Sequence, residues 1–241
     1  MGPFDFFRNM HGAFARILAA GHKPEVLVDR LTGRAYDFFE QNVAIQAEGL
    51  PDLACHKGCA SCCTLRVTAT APEVFQLAHY VRLIDASPAG APINLPKRIA
   101  QADRATKGLG EDERMALRRP CPLILRGVCI VHPVRPLACR GHASFDRTAC
   151  ARAASGRDVE VPVSEPHLQL RGLVQHALQA ALRDAGVAWG LYELNHGLVL
   201  ALSDQPRRAA WMAGQDSLAP TLADVDMTEM ADTFDAILAG G

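Results

Sequence analysis

Eight cysteines lie unevenly along 241 residues. None precedes Cys55 and none follows Cys150. Cys55, Cys59, Cys62 and Cys63 stand within nine residues, and Cys121, Cys129, Cys139 and Cys150 follow at wider intervals. Three chemistries use sulfur in this way. Disulfides need geometry that adjacent residues such as Cys62 and Cys63 rarely reach with each other. They also belong to exported chains or to domains too small for a core. Free thiols packed as small hydrophobes explain one or two cysteines, but not a cluster. Metal or iron–sulfur ligation is the remaining chemistry, with all eight thiols as candidate ligands.

Thiolate ligation needs sulfurs that converge within a few ångström of one another, at about 2.3 Å from a zinc ion. Cys59-Ala60-Ser61-Cys62 is a C-x2-C bite, a common chelating spacing, and Gly58 permits the tight turn ahead of it. Cys63 is expected to project differently from Cys62, so that the pair serves different metal atoms or different layers of one site. Further on, Cys121-Pro122-Leu123-Ile124-Leu125 reads as a strand, Arg126-Gly127 as a turn and Val128-Cys129-Ile130-Val131 as the returning strand. That hairpin brings Cys121 and Cys129 near each other. Pro133 and Pro136 stiffen the segment that aims Cys139.

Charge is consistent with ligation. A four-thiolate zinc site, or a four-thiolate cluster with a 2+ core, carries a net charge of about −2. Lys57, Arg66, Arg126, Arg135, Arg140 and Arg147 flank the cysteines, and nearby cations favour thiolate. His56, His132 and His142 also lie beside them and are candidates to replace a thiolate.

Two blocks together resemble the YkgJ-type cysteine-cluster family, proteins regarded as zinc- or iron-chelating. The first is Cys55-His56-Lys57-Gly58-Cys59-Ala60-Ser61-Cys62-Cys63, similar to the CxxCxxCC pattern but with three residues in its first gap. The second runs through Cys121-Pro122-Leu123, Cys129-Ile130-Val131-His132 and Arg135-Pro136-Leu137-Ala138-Cys139-Arg140. An aromatic is commoner in the family after Cys-Pro, and a tyrosine where His132 stands. Cys150 lies outside both blocks. The resemblance implies bound zinc or iron, the iron alone or in a [4Fe-4S] cluster. Flagellin lysine methylases look similar in this region, which adds a protein-modifying enzyme to the readings. A shared cysteine framework does not by itself transfer a reaction.

The elements that must position these thiols read as helices. Residues 1–49 form two, the second with Leu27, Leu31, Ala35, Phe38 and Phe39 at helical spacing after Pro24-Glu25. Residues 65–68 read as a short strand. Thr70-Ala71-Pro72-Glu73 reads as a capping box opening a helix through Ile84. A loop covers 85–96, followed by polar helices over 97–107 and 111–118. Ser164-Glu165-Pro166 opens a long helix with Leu170, Leu173, Val174, Ala177, Leu178, Ala181, Leu182 and Ala185 on one face, stopped by Gly186. Residues 189–202, apolar nearly all round, read as a buried helix. A short amphipathic helix over 227–238 ends the pattern. The expected fold is mainly α, with helices packed around a cysteine-rich metal-binding core and a small β-hairpin. A single domain over 1–241 is expected, with N-terminal helices in 1–49, the metal-binding core in 50–155 and C-terminal helices in 156–241.

Other chemistry is sparse. Glu193-Leu194-Asn195-His196 places an acid and an imidazole on one helical face, but di-iron bundles use that motif twice, with two further glutamates. A satisfied core pair is the simpler reading. Ser144-Phe145-Asp146 after His142 does not make a triad by sequence, and there is no G-x-G-x-x-G or P-loop. Hydrophobic content of 49% and charged content of 21% are ordinary for a globular chain, and 6% aromatics favour helices over a sandwich. A net charge of −1 argues against general binding to nucleic acid or to an acidic membrane. No long apolar run or basic leader is visible, so the expected compartment is the cytoplasm. The expected partner is a metal ion or cluster, with a protein partner or substrate left open. Three functional classes stand: a zinc- or iron-holding protein, an iron–sulfur-dependent enzyme with methylase-like activity, and a metal-delivery or sensing module.

Overall fold

The computed structural model describes residues 2–203 and 206–240. Two helices, α1 (Pro3–Ala19) and α2 (Pro24–Gln46), open the chain, each with proline at its first helical position, where its missing N–H costs nothing. Residues 51–60 are irregular and lead into a single 3-10 turn, Ser61–Thr64. Then come β1 (Thr68–Thr70), α3 (Ala71–Asp85), α4 (Leu95–Thr106) and α5 (Glu111–Leu117). The hairpin follows as β2 (Ile124–Leu125) and β3 (Val128–Cys129). Its turn residues Arg126 and Gly127 both have positive φ, 49° and 79°, the backbone that a tight hairpin of this hand demands. Next are α6 (Leu137–Arg140), α7 (Arg147–Ala154), α8 (Glu165–Asp184), β4 (Leu191–Glu193), α9 (Leu194–Leu202), α10 (Arg207–Met212) and α11 (Met227–Ala239). The protein is mainly helical, as expected.

The frame is built on α8. It packs against α1, α2, α6 and α11, while α3, α4 and α9 pack on one another and reach the first group through α2. The periodic residues explain this. Leu170, Val174, Ala177, Leu178, Ala181 and Leu182 of α8 are buried, as are Leu27, Leu31, Ala35, Phe38 and Phe39 of α2. These join Phe7, Met10 and Phe14 of α1, and the core runs on without a break to Val74, Leu198 and Trp211. Full burial of each such aliphatic side chain contributes about 1.5–3 kcal/mol. Gly186, with φ 69°, supplies the left-handed residue just past α8. Ala185, expected on the apolar face, is exposed at the helix end.

Three local expectations change. The apolar run over 189–202 is not one helix: Leu191–Glu193 is a strand, and the helix begins at Leu194. That strand pairs antiparallel with β1, Thr68 opposite Glu193 and Thr70 opposite Leu191. A continuous apolar run fits a buried strand and a buried helix equally, and the distant partner strand decides between them. The first strand lies at Thr68–Thr70 rather than 65–68. The hairpin ladder is two residues long on each side, so Cys121 precedes it instead of lying in it. Among the described residues no helix is long and apolar enough to cross a membrane.

Candidate metal centre

Four chain segments carry the cysteines, and three of them share one cavity wall. In the first, His56 O accepts from Cys59 N at 3.0 Å, closing a turn over Gly58, whose φ of 91° suits glycine. Cys62 and Cys63 follow in the 3-10 turn. The second segment is locked to the first, since Cys121 N donates to Cys63 O at 2.7 Å. The hairpin tip folds back over the first block, where a Cβ on Gly127 would sit 3.6 Å from Gly58 O. Cys129 lies on β3, opposite Ile124.

The third segment, α6, carries Cys139 and is pinned by a carboxylate. Glu73 is fully buried. Its Oε2 accepts from Thr70 N at 2.9 Å and from the Thr70 hydroxyl at 2.8 Å, and its Oε1 accepts from Leu137 N at 2.7 Å. Burial pushes its carboxyl up, against these three hydrogen bonds. One side chain thus caps α3 and fixes the start of α6. Beside it, Arg140 donates to Arg135 O at 2.9 Å and to Pro133 O at 2.6 Å, pairs with Glu40, and lies 3.8 Å over the Tyr36 ring. The segment between the two prolines is therefore held from both ends.

The fourth segment is α7, which carries Cys150. Asp146 caps it, accepting from Thr148 N and Ala149 N at 2.7 and 2.9 Å. The helix packs on the 3-10 turn of Cys62 and Cys63. Ser144 O, just ahead of it, accepts from Ala54 N at 2.9 Å, and the Cys55 thiol lies 4.0 Å from the same oxygen. Ser144 and Asp146 are thereby given structural work: the Ser144 hydroxyl donates to Pro162 O.

A cavity of about 700 Å³ opens among these segments, and seven of the eight cysteines line it, all but Cys150. Its wall also carries Lys57, Arg66, Arg114, Arg119, Arg135, Arg140 and Arg171, with His56, His132, His142 and His167, and no aspartate or glutamate among the described lining residues. Burial lowers the affinity of His132 and of His142 for a proton, with Arg135 and Arg171 respectively adding to the effect. Both imidazoles are thus favoured in the neutral, ligand-competent form. The His56 ring lies 3.0 Å from Ala54 O.

The thiols themselves are free rather than disulfide-bonded. Their proton affinities are split. The Cys63 thiol, hydrogen-bonded to its neighbour, lowers Cys62 to about 7, and that bond with burial pushes Cys63 well up. Burial pushes Cys121 up to about 11 and raises Cys129 and Cys139 as well. The sulfurs share one cavity, yet among the described residues no three Cys, His, Asp or Glu side chains gather closely enough to hold a metal ion. The Cys55 thiol lies against the Ser144 carbonyl instead.

The sequence reading missed three residues that shape this region. Glu73 was legible only as a cap; its bond to Leu137 is long-range. Arg171 sits on the long helix and reaches the cavity from the far side. Arg114 lines the cavity and pairs with Glu193 at 2.9 Å. Glu193 and His196 are not a helical pair either: Glu193 caps α9 and accepts from His196 N at 2.8 Å, while the His196 ring lies 3.3 Å from the Lys107 ammonium. Compared with protein-family models, curated proteins and solved structures, the chain matches none, so its own residues carry the reading of the site.

Proposed function

We propose that the protein holds zinc or iron, the iron alone or in a [4Fe-4S] cluster, through its clustered cysteine thiolates. The observation that carries this reading is the composition of one cavity wall: seven thiols from three segments, seven basic side chains and no described carboxylate. Soft sulfur donors without hard oxygen donors suit zinc and iron–sulfur clusters and not calcium or magnesium. The basic wall offsets the negative charge of a thiolate-held centre, which lowers the cost of placing it in a partly buried site. Cys55, Cys59, Cys62, Cys63, Cys121, Cys129, Cys139 and Cys150 are the candidate ligands, with the neutral His132 and His142 as reserves. The resemblance to the YkgJ-type family points to the same chemistry. A reducing compartment such as the cytoplasm fits eight free thiols.

A second reading, an iron–sulfur-dependent enzyme with a methylase-like or other modifying activity, is favoured by the size of the cavity. About 700 Å³ is in the range of small-molecule pockets and leaves room beside a metal centre. In that case the protein's arginines would orient an acidic or polar substrate, and the centre would keep an open position.

Anaerobic purification tests the first reading, with elemental analysis, acid-labile sulfide and a visible spectrum on one sample. Bound zinc, or iron with or without sulfide, is expected, and Cys59→Ser or Cys62→Ser should cut the metal content at least by half. An apoprotein that takes up neither metal on reconstitution would overturn it.

A further inference from the structure

We infer that the part of the cavity between α6 and α8 is a subsite for a phosphate group, held by Arg135 and Arg171. This deepens the second reading above by naming the chemistry of its ligand, and it rests on that reading only in treating the cavity as a ligand pocket.

The two arginines reach this wall from different elements. Arg135 stands just ahead of α6, where its carbonyl accepts from Arg140 Nε at 2.9 Å and Pro136 follows at once. Arg171 stands early in α8, and α6 packs on that helix. At the contact, a Cβ on Gly141 would lie 2.5 Å from the Arg171 Cβ and 2.6 Å from its Cδ. Glycine therefore lets the arginine stem run along the end of α6. His167, one turn earlier on the same face of α8, and His142, next to Gly141, line the same cavity.

Both arginines are left unanswered. The Nε of each is buried and has no hydrogen-bond partner among the described residues. Two other arginines of the wall are already served, since Arg114 pairs with Glu193 and Arg140 with Glu40. A buried guanidinium N–H without an acceptor is costly, and no described residue of the wall brings a carboxylate to it. An oxyanion is the acceptor that fits. Each guanidinium offers Nε and a terminal nitrogen as a planar fork for two oxygens of one anion. One fork satisfies a carboxylate. Two forks with two positive charges match a phosphate monoester, which carries about −1.5 to −2 charge at neutral pH and three free oxygens. The rest of the cavity, with Leu123, Val128 and Leu194 in its wall, leaves space for the body of a small phosphorylated molecule.

Inorganic phosphate is the probe, titrated calorimetrically into the whole chain, reduced and metal-free, at constant ionic strength. Saturable binding of one phosphate is expected, with acetate bound more weakly. Arg135→Gln and Arg171→Gln should each weaken phosphate about tenfold or more while the helical signal is kept. Arg152→Gln, exposed on α7, should bind phosphate as the wild type does. A second measurement needs no variant: phosphate should shield Arg135 and Arg171, but not Arg152, from phenylglyoxal, read by peptide mapping. No phosphate binding, equal binding of acetate, full affinity in both arginine variants, or shielding at Arg152 instead would overturn the subsite. Iron and sulfide content is a separate readout. A cluster-bearing protein that ignores phosphate defeats the subsite alone. Phosphate binding, lost in the two variants, by a chain that never takes up iron defeats the iron–sulfur enzyme and leaves the subsite standing.

Discussion

The helical frame and the cysteine region of this protein are held by different forces. In α1, α2 and α8 the contacts are apolar, and residues such as Phe14, Leu31 and Leu178 are fully buried. Between residues 51 and 63 no side chain is buried, and the loop is tied down by backbone hydrogen bonds such as Ala54 N to Ser144 O and Cys121 N to Cys63 O. Each such bond contributes only about 0.5–1.5 kcal/mol net. Apolar burial of a long amphipathic helix is enough to fold the frame. The stretch 51–63 buries too little to be held as firmly, and a metal bound to its thiols would supply the missing cohesion.

That contrast can be broken most directly in the frame. Leu178→Ala leaves a hole in the middle of α8 and should cost about 2–5 kcal/mol of global stability, read by chemical denaturation. Metal affinity per folded molecule should be unchanged. A variant that stays as stable as the wild type would mean that α8 is not the spine of the fold.

The join between the regions comes next. In Glu73→Gln the amide oxygen still serves Thr70, but an NH2 then faces Leu137 N–H. The mismatch should cost about 1–3 kcal/mol. It should also release metal from the site of Cys139 faster than wild type, measured by competition with a chromogenic chelator. Unchanged release would separate Glu73 from the metal region and leave it a simple cap of α3.

The smallest effect concerns pH and sharpens the comparison on the side of the thiols. Burial raises Cys121, Cys129 and Cys139, so these groups carry protons near neutrality and must lose them when metal binds. Zinc affinity should rise with pH between about 6 and 8, by about tenfold per unit for each proton released. Burial already favours the neutral form of the frame imidazoles His167 and His176, so its helical signal should stay flat across the same range. Zinc affinity independent of pH would argue that already ionised groups, and not these thiols, are the ligands.

Much of the frame was legible residue by residue. Proline at the start of α2, Thr70 with Glu73 at the start of α3, and Gly186 after α8 are local devices, each acting within one helical turn. Arg126-Gly127 announced its hairpin for the same reason. The strand at Leu191–Glu193 was not legible, because an apolar run has no period of its own and the ladder to Thr68–Thr70 supplies the choice. Nor was the gathering of the two blocks: the sequence shows that the thiols cluster in two blocks, and nothing in the spacing says that the helix of Cys150 packs back on the turn of Cys62 and Cys63.

Residue types and local periodicity by themselves determined a mainly helical chain with sulfur chemistry at its middle. Helix periods and turn residues act over a few neighbours, and thiols declare their chemistry wherever they stand. Only the tertiary structure decided which thiols share a wall, that Glu73 ties α3 to the helix of Cys139, and that arginines from distant helices face the sulfurs. Those outcomes depend on contacts between segments far apart in the chain, where packing against the shared core fixes positions that no local pattern encodes.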